Sequence, residues 1–365
     1  MAGALMPGAM LLFAAVGFGV QFVLSPSAPG FSSFNALHFE INYLEHGFVR
    51  RALVGTLFHG VPEAARTPAI VVFGWVVIAV LAGLVTRLLY VLRRRMDRDQ
   101  FRLLAVLWIA APWTFMNLGY DFARLDQLNL LLLALSLYLV YRNRIVWLTV
   151  VSVAGLLIHE AYLFYGLIPV LAYAWVRYRP VSLATAVVRL AWPVAAGLAT
   201  LVTIALAGRY EPGRAALIDT LGTRLADPNH NALNVWLRSG LDNPHYVLAR
   251  LDQGLFGAAE LLVMAALVLA AVAVVIGFAR TNGRSADPFI LSPLAVLPLF
   301  CFGIDYARWM GLIAILSLTV VTTRLLDGGF GQSRPLSARH TGLALLGMAL
   351  AGPLGSVHLL PLWGD

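Results

Sequence analysis

FNALHFEINYLEHGFVRRALVGTLFHG, residues 34–60, is a polar stretch lying between two long apolar runs. Plotted at 100° per residue, Phe34, Leu37, Ile41, Leu44 and Phe48 fall in one narrow stripe, the pattern of a helix lying on a membrane surface with its apolar side down. On the same wheel Glu40, Gly47 and Arg51 follow one flank of the stripe, and His38 and Glu45 follow the other. Carboxylates and arginines are thereby expected at the water–lipid boundary. Two acids, the adjacent Arg50 and Arg51 and several histidines at that depth suit chemistry on a lipid phosphate. They equally suit a re-entry helix whose charges are solvated and whose arginines snorkel to headgroups.

Around this stretch the composition is that of a membrane protein. With 60% hydrophobic and 12% charged residues and a mean hydropathy of +0.81, a chain of 365 residues reads as polytopic and all-helical. Every one of the 26 basic residues is arginine, a mark of genome composition that carries no function. The net charge of +8 belongs to the two faces of a membrane rather than to a nucleic-acid surface, so no nucleic-acid partner is expected. The single cysteine, Cys301, excludes an intramolecular disulfide and a cysteine metal cluster. No arginine precedes the first apolar run, which is therefore read as a span and not as a cleaved signal.

The apolar runs predict about eleven spans, near 7–24, 68–92, 103–118, 128–141, 145–158, 161–176, 184–207, 258–279, 289–302, 309–323 and 341–358, in one transmembrane domain over residues 1–365. Arginines cluster between alternate spans: Arg93–Arg95, Arg98 and Arg102; Arg142 and Arg144; Arg177 and Arg179; Arg280 and Arg284; Arg324, Arg334 and Arg339. The positive-inside rule makes these loops cytoplasmic, with the N-terminus inside. Most of the 18 acids then fall on the other face, from Glu40 and Glu45 to Asp305 and Asp365. The predicted setting is the inner (plasma) membrane of a bacterium, with the active face extracytoplasmic. Two long outer loops are expected, one over about 25–67 with the interfacial helix and one over about 208–257 as a lid. In the second, turns at Glu211-Pro212-Gly213, Asp227-Pro228-Asn229 and Asp242-Asn243-Pro244 separate short helices such as Ala232 to Leu237.

The fourth to sixth spans are short. Helices of roughly 15 residues reach only about 22 Å, so their outer turn, carrying His159 and Glu160, is expected at the floor of an outward cavity. A single histidine in His159-Glu160-Ala161-Tyr162-Leu163 rules out a zinc-protease helix. The stretches Gly119-Tyr120-Asp121-Phe122-Ala123-Arg124-Leu125 and Gly303-Ile304-Asp305-Tyr306-Ala307-Arg308-Trp309 echo each other. In each, Asp and Arg three apart suit a capped turn with a local ion pair, or an arginine offered to phosphate and oriented by a carboxylate. Asp126 adds a further acid to the first of them.

Neither a phosphate-cradling glycine loop nor a nucleophile elbow is present, which removes ATP-driven transport and the common hydrolases. The layout of acids just after the first span, interfacial helices, paired short helices and a long later outer loop resembles the GT-C superfamily of membrane glycosyltransferases. Asp126-Gln127-Leu128-Asn129 and Ala154-Gly155-Leu156-Leu157, with a polar pair and Pro169 beyond, are similar to helices of its polyprenol-phosphate-dependent mannosyltransferases. Asp126 stands where that family has Gly, and His159-Glu160 stand near its Lys. The resemblance implies transfer of a sugar from a polyprenyl-phosphate donor to a glycan, lipid or protein acceptor, with membrane lipid around it. It implies a carboxylate base, Glu45 ahead of Glu40, Asp121 and Asp126. Donor phosphate falls to Arg50 and Arg51, then Arg124 and Arg308, with His159, Glu160 and Asp305 in support. Members of the superfamily differ in using a divalent cation, so no cofactor is fixed. Competing expectations are a polymerase or ligase of the O-antigen type, a transporter or flippase, and a structural subunit. No outer arginine here has a Gly eleven positions later, the spacing of the O-antigen enzymes.

Overall fold

The computed structural model describes residues 2–24, 32–225, 227, 230–238, 242–281, 287–328, 355 and 357–359. All regular structure among them is helical. Five helices are long and apolar enough to cross a membrane: Leu5–Val23, Glu63–Leu92, Arg98–Tyr120, Leu183–Ala207 and Tyr306–Leu326. Five shorter apolar helices cover Leu125–Tyr141, Ile145–Ile158, Leu163–Tyr178, Ala258–Ala273 and Pro288–Phe302. Ten of the apolar runs in the sequence thus coincide with helices, although only five reach spanning length. The eleventh, 341–358, falls almost wholly outside the described residues, as do Arg284, Arg334, Arg339 and Asp365. Val76, Val80, Leu84, Leu198, Val202 and Leu206 point outward from two of the long helices. Apolar surface of that extent is stable in lipid and not in water, so the chain is membrane-embedded.

The chain divides into two compact units. The first comprises 1–24, 78–121 and 247–365. In it the helix Ala2–Leu24 lies against the short helix Asn117–Tyr120, and the Trp108 indole donates to Thr322 Oγ1 at 3.0 Å. The span Arg98–Tyr120 is not continuous. Pro112 lacks the N–H a helix needs and forces Ala111 into extended backbone, and Thr114 leaves helical geometry as well. Near the end of the helix Tyr306–Leu326 Arg324 pairs with Asp287, and elsewhere in the unit Glu260 accepts from the Leu359 amide at 2.9 Å.

The second unit comprises 25–77 and 122–246. Its short helices Leu125–Tyr141 and Ile145–Ile158, of 17 and 14 residues, are followed by Leu163–Leu167, a wide turn of helix, and Ile168–Tyr178. Polar bonds inside this group replace those that lipid cannot supply. Tyr165 donates to Asp126 at 2.7 Å, Asn129 bonds Tyr165 and the Gly155 carbonyl, and Ser136 meets Tyr162 at 3.1 Å. The buried Tyr162 ring fills a notch at Gly155, where an added Cβ would come within 2.5 Å of it.

The polar stretch 34–60 is not one helix. It breaks into Ser33–Glu40, Tyr43–His46 and Leu53–Phe58. The stop is local: Asn42 accepts from the amides of Leu44 and Glu45, at 3.0 and 2.9 Å, and starts a new helix with Ile41 extended. Gly47, with φ 67°, ends it. The predicted stripe is therefore divided, with Leu37 and Ile41 at 3% and 1% exposure but Leu44 and Phe48 at 69% and 38%.

The late loop also has its own structure, with helices Gly213–Leu221, Asn234–Leu237 and Asn243–Asp252 and short turns of tighter helix between them. The predicted helix Ala232 to Leu237 is thus split into Asn231–Leu233 and Asn234–Leu237. Leu37, Ile41, Val49 and Ala52 from the first loop form one core with Tyr210, Leu217, Leu221, Leu233 and Trp236 from the late loop. What the sequence presents as two loops far apart is one folded layer.

Candidate functional site

Arg50 fastens that layer. Its guanidinium donates to the carbonyls of Val235 and, at 2.8 Å, Arg238. Its carbonyl accepts from the Trp236 indole at 2.9 Å, and its amide donates to Gly208 O at 2.9 Å. With so many bonds to backbone, Arg50 holds the two loops together, and the expectation that it grips phosphate gives way to a structural role.

Its neighbour is placed differently. Arg51 sits in left-handed backbone, φ 60°, which an L side chain adopts only at a cost. That turn sends its guanidinium onto Glu160, whose two oxygens accept from Nε at 3.1 and 2.9 Å. His159 Nδ1 lies 3.8 Å from the same carboxylate but accepts the Ala161 amide at 3.1 Å. It therefore carries no proton on Nδ1, and the 3.8 Å approach is not an ion pair. Burial works to raise the Glu160 carboxyl, but Arg51, by its charge and its hydrogen bonds, with Arg50 adding to it, outweighs burial and holds the group well below the usual range.

Arg124, at the start of Leu125–Tyr141, lies over the Phe34 ring at 5.4 Å. Phe34 and Trp236 flank the His38 ring at 5.1 and 5.2 Å. Burial, then the charge of Arg51, with Arg124 adding to it, holds His38 well below its usual range. Arg51, Arg124, His38, His159 and Glu160 thus form one cluster in the second unit, with Asp126 in the first turn of the helix that follows Arg124. Beside it runs a small apolar crevice lined by Phe39, Phe73, Gly74, Val77, Leu125 and Leu128, with Arg124 and Gln127 also on its wall.

The first-loop acids belong to a second cluster. Glu40 pairs with Arg66, and Arg224 lies 3.8 Å away. Glu45 accepts from Arg224 at 2.8 Å and from Asn42 at 2.9 Å. Burial raises the Glu40 carboxyl above its ordinary value despite Arg66. Burial also pushes at Glu45, but the bonds from Arg224 and Asn42 prevail and hold it low. Glu45 is the more open of the two, with 31% of its side chain exposed against 12% for Glu40. The wheel placed Glu45 beside His38, yet the break at Asn42 turns it toward Arg224. Sequence reasoning missed Arg66 and Arg224, since both lie far along the chain from the acids they bind and neither has a motif.

The echoed turns are not equivalent. Helix Tyr306–Leu326 begins right after Asp305, and Arg308 within it pairs with Asp305 at 2.7 Å. In the first turn Ala123 takes φ 60°, and the helix begins only at Leu125, so Arg124 precedes it where Arg308 lies inside. Asp121 closes the helix Asn117–Tyr120 in the first unit and does not cap Leu125–Tyr141. Asp305 and Arg308 are also residues of the first unit and form a site of their own.

No group of three or more His, Cys, Asp or Glu side chains suited to a metal ion exists among the described residues. The first-loop acids face arginines instead, a donor set that does not fit a divalent cation. Comparison of the chain with models of protein families, with curated proteins and with solved structures finds no match.

Proposed function

We propose that the protein is an integral-membrane glycosyltransferase that moves a sugar from a polyprenyl-phosphate donor to an extracytoplasmic glycan, lipid or protein acceptor, in a bacterial plasma membrane. The observation that supports this reading is the cluster of Arg51, Arg124, His38 and His159 around Glu160, beside an apolar crevice. Arg51 and Arg124 outnumber Glu160, the carboxylate among them, an excess of positive charge suited to a phosphate diester.

In the reaction the acceptor oxygen bonds to the anomeric carbon, and the bond from that carbon to the phosphate oxygen breaks. The acceptor's proton passes to a carboxylate, and polyprenyl phosphate leaves with one more negative charge than the diester carried. Arg51 and Arg124 stabilise that added charge. Glu45 is the base of this scheme, because it is the more exposed first-loop acid and has one oxygen facing only His59, at 4.0 Å. Arg224 must release it before it can take a proton at neutral pH.

The test combines native mass spectrometry of co-purified lipid with a transfer assay. Wild type is expected to carry a polyprenyl phosphate that Arg51→Gln with Arg124→Gln loses. Glu45→Gln is expected to keep the lipid and lose transfer by about 100-fold or more, the range of general-base removal. Bulk phospholipid alone in wild type, or undiminished transfer by Glu45→Gln, contradicts the assignment.

A further inference from the structure

Of the histidines in the phosphate cluster, one is built to gain a proton and the other is not. His38 Nδ1 lies 3.0 Å from the Phe34 carbonyl, which can only accept, so Nδ1 carries hydrogen whether the ring is neutral or charged. Its Nε2 is then the basic nitrogen, and protonating it costs no existing bond. His159 is the reverse case, because its Nδ1 accepts the Ala161 amide and that bond is lost if Nδ1 is protonated.

The groups that act on His38 come from several elements. Its own helix supplies the Phe34 carbonyl, the turn before Leu53–Phe58 supplies Arg51, and the start of Leu125–Tyr141 supplies Arg124. The turn at 159 supplies His159, and the late loop supplies only the Trp236 ring. No carboxylate is among them; Glu160 is engaged by Arg51. The ring is thus caged between Phe34 and Trp236, with cations around it and its basic nitrogen uncharged.

We propose that this cluster binds a phosphate diester together with a proton, the anion being held by Arg51 and Arg124 and the proton going to His38 Nε2. The proposal rests on reading the cluster as the donor-phosphate site. Burial is the larger reason His38 stays neutral, and an anion placed between the two arginines offsets the part that comes from their charge, so each favours the other by linkage. The added proton supplies a further cation next to the phosphate before the sugar bond breaks.

Titration calorimetry of the full chain in detergent tests this, using dimethyl phosphate and farnesyl methyl phosphate, diesters with no proton of their own to exchange near neutral pH. Runs in two buffers of different ionisation heat count protons taken up. Wild type is expected to take up as much as about one proton per ligand, with affinity rising up to roughly tenfold per unit fall in pH. His38→Asn, whose amide can still donate to Phe34 O, is expected to bind with no uptake, and His38→Gln serves if the Asn variant does not fold. Much tighter binding of the farnesyl diester identifies a lipid ligand, and equal binding identifies the headgroup alone; either accords with the proposal when uptake accompanies it. Binding by wild type without uptake, or equal uptake by both His38 variants, overturns the proton inference and leaves the transferase reading standing. Failure of wild type to bind either diester overturns both.

Discussion

Replacing Trp236 by alanine should open the layer that carries the site while leaving the short helices beneath it intact. Trp236 is fully buried in the core shared by the two loops, and its indole N–H meets the Arg50 carbonyl at 2.9 Å. Removing a buried tryptophan costs about 3–5 kcal/mol from transfer and cavity together. The abandoned Arg50 carbonyl adds to that cost unless water reaches it. Two amides report the opening directly: Arg50 N–H, bonded to Gly208 O, and Tyr210 N–H, bonded to Trp236 O at 2.8 Å. At a factor of ten per 1.4 kcal/mol, their hydrogen exchange should speed up by roughly 100-fold or more in Trp236→Ala. Trp236→Phe keeps most of the ring contacts and loses only the indole bond, worth about 0.5–1.5 kcal/mol, so it should speed exchange by roughly tenfold at most. Amides of Leu125–Tyr141 should hold their wild-type rates in both. Unchanged exchange at Arg50 and Tyr210 in the alanine variant would refute the claim that the loops fold as one layer.

Gly119→Ala places a Cβ 1.7 Å from the Ala14 carbonyl, backbone that cannot turn aside, whereas Gly83→Ala meets nothing within 4 Å. Thermal unfolding in detergent should show a loss of at least about 1–3 kcal/mol for the first. The second should show none, with helix propensity favouring it by up to about 1 kcal/mol. Glu160→Gln leaves the Arg51 guanidinium without its carboxylate. The pair is partly open, so the cost should be about 1–3 kcal/mol rather than the roughly 3–5 of a fully buried pair, seen as faster exchange around Arg51. Because the folded Glu160 carboxyl is held below its unfolded value, its contribution is complete above about pH 4.3 and fades as pH falls through the folded value. Wild type should therefore loosen on acidification below about pH 4.3 in a way that Glu160→Gln does not. Loosening that begins near neutral pH in wild type contradicts the assigned direction.

The positions of the apolar helices were legible from composition and run length, because burial in lipid selects continuous apolar sequence whatever the tertiary fold. The shortness of Leu125–Tyr141 and Ile145–Ile158 was legible for the same reason, since arginines and the turn at His159 delimit them. Periodicity misled where a short-range polar bond competed with it: the stripe from Phe34 to Phe48 looks helical throughout, yet the side chain of Asn42 satisfies two amides and restarts the chain. The echo of Gly119 and Gly303 misled in a similar way, because Ala123 alone takes a left-handed turn.

By itself, then, the sequence determined a helical membrane protein with acids and arginines concentrated in and beside its longer loops. Only the tertiary structure decided which of them meet. Arg50 turned to the late-loop carbonyls while Arg51 turned to Glu160, although the two are adjacent and chemically identical. Glu45 found Arg224, and Glu40 found Arg66. A charge pairs with whatever the fold brings within a few ångströms, and that distance is set by packing of apolar side chains such as Trp236 and Leu37, not by separation along the chain.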